Sequence, residues 1–132
     1  MRPADRRFLG VLTALVKSLA EAGDVVIVGR GSQAILGDRN DAVHVQVVCD
    51  LEERVRRIAE RDSIEAAAAN ARIQESDRER NPWYRKYFSV DFESPHLYDV
   101  ILNTARLGED EVTHQVISLV RARVTSYRSS PR

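Results

Sequence analysis

The sequence predicts an α/β domain whose core is a small three-layer parallel sheet of about three strands flanked by helices. One observation is the run Val25–Val28, in which four consecutive β-branched residues stand between turn-forming residues, as is typical of a strand buried on both faces. The other is that segments with helical spacing alternate with such runs, in the order α-β-α-β-α-α-β-α. This alternation favours a parallel sheet with right-handed crossover connections.

Length and composition narrow the class of protein further. A chain of 132 residues forms a single domain, 1–132, and we expect its polar tail, from about residue 125 to 132, to be frayed. Twenty basic and twenty acidic residues cancel, so charge gives no reason to expect a nucleic acid or a membrane surface as a partner. Cys49 is the only cysteine, which excludes an internal disulfide and favours a reducing, cytoplasmic location.

The first half of the chain contains four predicted elements. Apolar residues recur at helical spacing from Ala4 to Ala22, and Gly23 is placed to end that helix. The strand Val25–Val28 follows directly. A short helix from Ser32 to Leu36 and a second strand, Val43–Val48, complete this part.

Capping residues mark the helices that come next. Asp50 with Glu53 three residues later is the arrangement of a capping box at the start of a helix. Ser63 is expected to cap another helix, which covers residues Glu65–Arg80. Asn81–Pro82 is expected to interrupt that helix, because the residue before a proline is biased away from α conformation.

The last third of the chain begins with an aromatic and basic segment, Trp83–Phe88. This segment is expected either to anchor a lid on the body of the domain or to stack on a nucleotide base. The run Tyr98–Asn103 predicts a third strand. Acidic residues after Gly108 suit the positive end of a final helix.

Polar residues follow each predicted strand, at the edge where ligands of open parallel sheets bind. The first strand is followed by Gly29, Arg30, Gly31 and Ser32, the second by Asp50 and several arginines, and the third by Asn103, Thr104 and Arg106. Glycine, guanidinium and hydroxyl groups at one edge suit an anion, most simply a phosphate. A tight strand-to-helix turn is the structural alternative for the two glycines, and the two interpretations are compatible.

A second polar cluster lies near Pro82. Asp77 and Arg80 are three residues apart on a predicted helix and can share a face. The segment 76–80 is either a solvated, ion-paired surface or a mobile cationic flap over phosphates. Histidines occur at positions 44, 96 and 114 without metal-ligand spacing, so no metal site is expected.

Several segments, taken in order, are similar to those of a known family. They are Val25–Ser32, Val43–Val45, Leu51–Arg57, Asp77–Arg80 and Tyr98–Leu107. This series resembles the cytidylate kinase-like family of P-loop nucleoside monophosphate kinases over roughly residues 15–120. The strand that ends in Val-Gly-Arg-Gly and the Tyr-Asp-x-x-x-Asn-Thr segment are its most specific parts.

The resemblance implies transfer of the γ-phosphate of ATP to a CMP-like nucleotide, with Mg²⁺. It implies that Arg30 holds the acceptor nucleotide, although Gly31 stands where true cytidylate kinases have aspartate. By the same resemblance, Arg54 and Arg57 approach ATP, and Asn103 and Thr104 lie near its adenine. The lid of the family corresponds to Asp77, Arg78 and Arg80, which would be the candidates for stabilising the transferred phosphoryl group.

The chain departs from the family at its front. The resemblance implies a longer upstream part that carries a Gly-rich phosphate loop, and no Gly-x-x-x-x-Gly-Lys-Ser/Thr motif occurs here. It also implies a strand between those that match Val25–Val28 and Val43–Val48. Either these two strands pair directly, or something else fills the space, because unpaired buried backbone groups are costly.

Three functions remain open at this stage. The chain is a nucleotide- or phosphate-binding domain that is incomplete for catalysis by itself, or a working small kinase within an oligomer. Alternatively, it is a non-catalytic protein-interaction or regulatory domain that oligomerises through its sheet edge and helices. In each case we expect a homo-oligomer or a partner chain, because a small sheet leaves edges and apolar faces to cover.

Overall fold

The computed structural model describes residues 1–37 and 39–129 and confirms the α/β class. Its elements are α1 (Pro3–Ala22), α2 (Ser32–Ile35), β1 (Val45–Val48), α3 (Leu51–Asp62), α4 (Ala66–Phe88), β2 (Val100–Asn103) and α5 (Glu109–Ser129), with a 3-10 turn at Pro95–Leu97. The predicted first helix is therefore confirmed. Residues 125–129, expected to fray, lie in α5, and residues 130–132 fall outside the described part.

The sheet of the described residues has two parallel strands, in register from Val45 beside Val100 to Val48 beside Asn103. Backbone bonds extend the pairing at both ends: the Asp99 N–H donates to the His44 carbonyl (2.8 Å), and the Thr104 N–H donates to that of Val48 (2.8 Å). The second and third predicted strands are thus present in shortened form. The expected number of about three strands is wrong.

The missing strand is the predicted run Val25–Val28, to which the structure assigns no regular secondary structure. Val26 is 90% exposed and Val28 is 86% exposed, whereas burial on both faces was expected. The physical reason is that an extended segment becomes a strand only through hydrogen bonds to a neighbour. No backbone hydrogen bond of Val25–Val28 is made within the described ranges.

Two of the capping predictions have different outcomes. The Asp50 carboxylate accepts a hydrogen bond from the Glu53 N–H (3.1 Å), so its role as the N-cap of α3 is confirmed. The prediction that Ser63 starts a helix is wrong, because Ser63 ends α3 in a left-handed conformation (φ 51°). The Ile64 N–H then donates to the Ala59 carbonyl (3.1 Å), which satisfies an end group of α3.

The predicted interruption at Asn81–Pro82 is also wrong, since α4 continues through Pro82 to Phe88. A proline inside a helix costs about 3 kcal/mol. The aromatic side chains beyond it offset this cost by packing on one another, with the Trp83 ring 5.1 Å from Tyr84 and 5.3 Å from Tyr87. Tyr87 in turn packs edge-on against Phe8 of α1 (5.6 Å).

A buried carboxylate fixes α1 to the same end of α4. Asp5 is only 8% exposed. It accepts hydrogen bonds from Lys86 Nζ (3.2 Å), the Tyr87 hydroxyl (3.0 Å) and Arg2 Nε (3.4 Å). These donors, Lys86 foremost, lower the pKa of Asp5 to about 2. Aromatic packing and this charge-assisted cluster therefore anchor the segment Trp83–Phe88 on α1.

Only a small core is enclosed by these elements. Its buried apolar residues are Val16, Leu36, Ala69, Ile73, Tyr84 and Leu102. Large apolar side chains on α1 and on the sheet stay in water, among them Val11 and Val47. No helix of the described residues is both long and apolar enough to cross a membrane.

Gly31 provides a first test of the packing at the turn before α2. Both Gly29 (φ 70°) and Gly31 (φ 69°) are left-handed, but a Cβ on Gly31 would overlap the Phe88 ring, whereas one on Gly29 would meet open space. We expect Gly29→Ala to lower the free energy of unfolding by about 1 kcal/mol, the cost of left-handed backbone. Gly31→Ala should cost ~1–3 kcal/mol more from overpacking. Urea denaturation measures both, and equal losses would contradict the packing argument.

Asp5 provides a second test, through pH. Its folded pKa of about 2 lies below the ordinary value of 3.8, so its stabilisation is present above about pH 4 and is lost as pH falls toward 2. We expect Asp5→Asn to lower the melting temperature at pH 7. We also expect the melting temperature of the variant to fall less than that of the parent chain as the pH is lowered from about 5 to about 2. Glu21→Gln on the same helix is the control. A variant that melts like the parent chain at pH 7 would refute the anchoring role.

Candidate functional site

The turn between Gly29 and Gly31 carries the first sequence-predicted site residue in an unusual conformation. Gly29, Arg30 and Gly31 all have positive φ, at 70°, 61° and 69°. Left-handed backbone is uncommon for a residue with a side chain and concentrates at binding sites. The Ser32 N–H donates to the Gly29 carbonyl (3.2 Å) and closes the turn at the start of α2. Arg30 is exposed and has no hydrogen bond or ion pair to the described residues.

Arg30 faces a cavity that we call the arginine cleft, of about 650 Å³. The cleft lies between this turn and one face of α4, with Phe92 closing one side. It is lined by Gly29, Arg30, Arg72, Glu75, Ser76, Glu79, Arg80, Trp83, Tyr84 and Phe92. Three guanidinium groups, two carboxylates and three aromatic rings therefore surround one space. The two sequence-predicted arginines that meet here are Arg30 and Arg80.

Arg80 is held in place by a carboxylate that also holds α3. Asp77 accepts two hydrogen bonds from Arg54, at 2.6 and 2.8 Å, and one from Arg80 at 3.0 Å. The predicted sharing of a face by Asp77 and Arg80 is confirmed. The Arg54 bonds, with the Arg80 charge, keep the pKa of Asp77 below its ordinary value, and they raise the pKa of Arg54. The Arg80 guanidinium also lies over the Phe92 ring, 5.3 Å from its centre.

Other predicted site residues form a separate group at the carboxyl edge of the sheet. Arg57 donates to the Thr104 carbonyl (2.6 Å) and hydroxyl (3.1 Å), and to Glu53 (2.7 Å). The Asn103 side chain accepts from the Ala105 N–H (2.9 Å). These contacts fix the turn after β2 on α3. None of the residues in this group lines the arginine cleft.

Two predicted site residues, Ser32 and Arg78, lie outside the arginine cleft. Ser32 lines a second cavity, which is described in the next paragraph. Arg78 is exposed, lines neither cavity and has no partner among the described residues. The expected lid Asp77–Arg80 is a regular part of α4 and, through Asp77, is paired to α3.

A chain of buried and partly buried hydrogen bonds forms the wall behind the cleft. The Tyr84 hydroxyl donates to Gln33 Oε1 (3.5 Å), Gln33 Nε2 donates to the Tyr98 hydroxyl (3.1 Å), and that hydroxyl donates to the Phe92 carbonyl (2.9 Å). Gln33 is 7% exposed, and burial raises the pKa of Tyr98. A second cavity of about 650 Å³, which we call the strand groove, lies beyond the wall. Gly29, Tyr84 and Phe92 line both cavities.

Metal ligands do not gather anywhere in residues 1–37 and 39–129, where no group of three His, Cys, Asp or Glu is placed to hold an ion. Cys49 is a half-buried free thiol. The His44 backbone N–H donates to Asp99 (2.7 Å), and the His114 ring meets the Asp110 carbonyl (2.8 Å). The arginine cleft itself is lined by guanidinium groups, carboxylates and aromatic rings.

Sequence analysis did not single out the cleft residues Arg72, Glu75 and Phe92, and it named Glu79 only within the polar segment 76–80. Helical spacing could have placed Arg72 and Glu79 on the same face as Ser76 and Trp83. Arg72, Ser76, Glu79 and Trp83 are spaced by three or four residues, so they fall on one face of a continuous helix. The expected break at Pro82 separated only Trp83 from that face. Arg72 and Glu75 lie within the predicted helix Glu65–Arg80, and no local pattern showed that this face borders a cavity.

Proteins with similar sequences are named cytidylate kinases. The chain is 33% identical over 99 residues to the cytidylate kinase of Halobacterium salinarum, covering 75% of this chain and 51% of that protein. It is 32% identical over 103 residues to that of Methanopyrus kandleri, covering 72% and 53%. The chain thus spans about half the length of these curated relatives.

A solved structure has the same fold. The crystal structure of an uncharacterized protein from Eubacterium ventriosum superposes with a TM-score of 0.77 at 20% identity, covering 92% of this chain and 66% of that one. The family model described as the cytidylate kinase-like family matches residues 2–106, which is most of the chain. The chain belongs to the cytidylate kinase-like family.

Proposed function

We propose that the arginine cleft binds a nucleoside monophosphate of the CMP class, with its phosphate on Arg30 and Arg80. The observation that carries this proposal is the convergence of these two arginines on one cavity that also contains Trp83. Guanidinium groups bind phosphate through paired, charge-assisted hydrogen bonds. The names of the relatives support a nucleotide ligand, and their chemistry enters here only as a proposal.

The two arginines have different tasks in this proposal. Arg30 has no partner in the described residues, so its donors are available to phosphate oxygens. Arg30 has left-handed backbone within a short turn that the hydrogen bond from the Ser32 N–H to the Gly29 carbonyl closes, and this turn places Arg30 at the arginine cleft. Arg80 keeps one bond to Asp77 and rests on Phe92, so its orientation is set before a ligand arrives. Such preorganisation reduces the cost of ordering side chains on binding.

The base occupies the aromatic part of the cleft, against Trp83 and Phe92. Stacking of a base on an aromatic ring contributes about 1–3 kcal/mol. Glu75 and Glu79 line the same cavity and carry acceptors for an exocyclic amino group. Carboxylates accept hydrogen bonds from the amino group of cytosine, so their presence favours an amino-bearing pyrimidine.

Phosphoryl transfer from ATP with Mg²⁺, which the family suggests, needs more than this cleft. The described residues do not form a carboxylate site for Mg²⁺. Arg54 and Arg57, the candidates for ATP, already bind Asp77, Glu53 and Thr104. We therefore propose a nucleotide-binding domain that is incomplete for catalysis by itself and works in the nucleotide-rich cytoplasm. The alternative, a protein-interaction domain, is supported by a different feature, the strand groove.

The phosphate role of Arg30 is tested by titrating the purified chain with CMP. Trp83, the only tryptophan, lies in the cleft and reports occupancy by its fluorescence. We expect Arg30→Ala to weaken binding about 10- to 100-fold, since a hydrogen bond to a charged group contributes ~1.5–3 kcal/mol. Arg78→Ala, an exposed arginine outside the cleft, should bind as the parent chain does. Equal affinities of the two variants would exclude Arg30 as the phosphate ligand.

The base-stacking role of Trp83 is tested by calorimetry with Trp83→Leu. We expect CMP affinity to fall about 5- to 100-fold, in line with ~1–3 kcal/mol for stacking, while inorganic phosphate binds unchanged. The far-ultraviolet circular dichroism of the variant shows whether α4 and the other helices are retained. A parallel loss of phosphate binding in a folded variant would argue against separate base and phosphate positions.

A further inference from the structure

One side of the arginine cleft is formed by a loop instead of a helix or a strand. Phe92 belongs to the loop of residues 89–94, which begins where α4 ends at Ser89 in left-handed conformation (φ 57°). Side chains of loops are usually less constrained than those of helices. Phe92 nevertheless lines the cleft and carries the Arg80 guanidinium 5.3 Å from its ring centre. The position of this ring therefore requires a cause other than secondary structure.

The peptide groups of Phe92 are bonded on both sides. Its N–H donates to Asn81 Oδ1 (3.1 Å), and its carbonyl accepts from the Tyr98 hydroxyl (2.9 Å). The Tyr84 ring lies 4.9 Å from the Phe92 ring, and the Tyr98 ring meets it edge-on at 6.2 Å. Tyr84 and Tyr98 belong to the wall of the cleft. Asn81 is the partner of Phe92 that stands outside this wall.

The Asn81 side chain has a defined orientation because its other end is bonded as well. Asn81 Nδ2 donates to Asp91 Oδ1 (3.0 Å). The same oxygen accepts from the Glu93 N–H (3.0 Å), and Arg85 donates to the other carboxylate oxygen (3.0 Å). These donors, the Glu93 N–H foremost, keep the pKa of Asp91 below its ordinary value. An ionised carboxylate only accepts hydrogen bonds, so the amide nitrogen of Asn81 faces Asp91 and its oxygen faces Phe92.

Asn81 and Arg80 are consecutive residues of α4 that reach Phe92 from different sides. Asn81 bonds to its backbone, whereas the Arg80 guanidinium lies over its ring. Asn81 itself lines neither cavity. A change at Asn81 can therefore reach the cleft only through the groups to which it is bonded. Among these groups, Phe92 is the one that contacts a guanidinium of the cleft.

We propose that Asn81 is a positioning residue of the arginine cleft, which acts through Phe92 to orient Arg80 toward the phosphate of a nucleotide. This inference rests on the proposed nucleotide binding and adds to it a residue that does not touch the ligand. A guanidinium that is oriented before the ligand arrives loses less freedom on binding. The competing role of Asn81 is structural, with an effect on the stability of the fold alone.

Calorimetric titration of the purified chain with CMP tests the positioning role. We expect Asn81→Ala to weaken binding about 3- to 30-fold, the range expected for loss of a cation–π contact. Asn70→Ala on the same helix is the matched control. Asn70 accepts a hydrogen bond from Gln74 (3.3 Å) and lines neither cavity, so this variant should bind CMP as the parent chain does. Equal losses in the two variants would refute a specific role for Asn81.

A double-mutant cycle with Phe92→Leu separates positioning from stability. Leucine keeps an apolar side chain at this position but has no ring for Arg80 to lie on. If Asn81 acts through the ring, Asn81→Ala should weaken CMP binding by less than about twofold further in the Phe92→Leu chain, since residues that act together have non-additive effects. A structural role would instead lower the affinity by the same factor in both backgrounds, which contradicts the proposal.

Exchange of the two bonded side chains gives a rescue that conserves net charge. Asn81→Asp alone places two carboxylates at hydrogen-bond distance, and we expect it to weaken CMP binding at least as much as Asn81→Ala does. Adding Asp91→Asn restores a donor opposite an acceptor and leaves an oxygen for the Phe92 N–H. The combined variant should return to within about threefold of the parent affinity, because the two changes compensate each other. Failure of a folded combined variant to recover would refute this bond as the cause.

The positioning role and the proposed function fail in different ways. No CMP binding by the parent chain would overturn the proposed function and the positioning role together. CMP binding by the parent chain that Asn81→Ala leaves unchanged would overturn the positioning role alone. In that second case the comparison of Arg30→Ala with Arg78→Ala still decides whether Arg30 binds the phosphate.

Discussion

The buried amide of Gln33 is the constraint on which the arrangement of this domain depends. Its side chain accepts from Tyr84 on α4 and donates to Tyr98 at the entry to β2, and Tyr98 closes the chain on the Phe92 carbonyl. Buried polar groups are strongly destabilising when a partner is lost. Three segments that are distant in sequence are therefore fixed relative to one another by one side chain of a four-residue helix. This hydrogen-bonded chain separates the two cavities, because Tyr84 and Phe92, which belong to it, line both of them.

The position of the candidate site follows from α4 rather than from the sheet. Ligands of open parallel sheets usually bind beyond the carboxyl ends of the strands, and that edge does contain Arg57 and Thr104. Here the two residues bond to each other and stabilise the turn after β2. The cationic cavity lies instead where one face of α4 meets the turn at Arg30. Asp77 connects the two regions, because it binds Arg54 of α3 and Arg80 at the cleft.

Features with a local cause were predictable from sequence, and features with a distant cause were not. The helical period of α1 and the Asp50 cap depend on neighbours within a few residues, and both are confirmed. Val25–Val28 has strong strand composition, but a strand also requires a partner, which no propensity supplies. Pro82 disfavours a helix locally, and the aromatic packing after it overrides that preference. Arg72 and Glu75 lay within the predicted helix, and they were missed because the cavity depends on the distant turn at Arg30 rather than on the helix alone.

The shared wall gives the two cavities a thermodynamic relationship. Gly29, Tyr84 and Phe92 each contact both the arginine cleft and the strand groove. Close-packed side chains transmit displacement instead of absorbing it. A shift of the Tyr84 ring toward one cavity takes volume from it and adds volume to the other. Two ligands that each displaced this wall would be linked, and such linkage is reciprocal: whatever factor one exerts on the affinity of the other, it experiences in return.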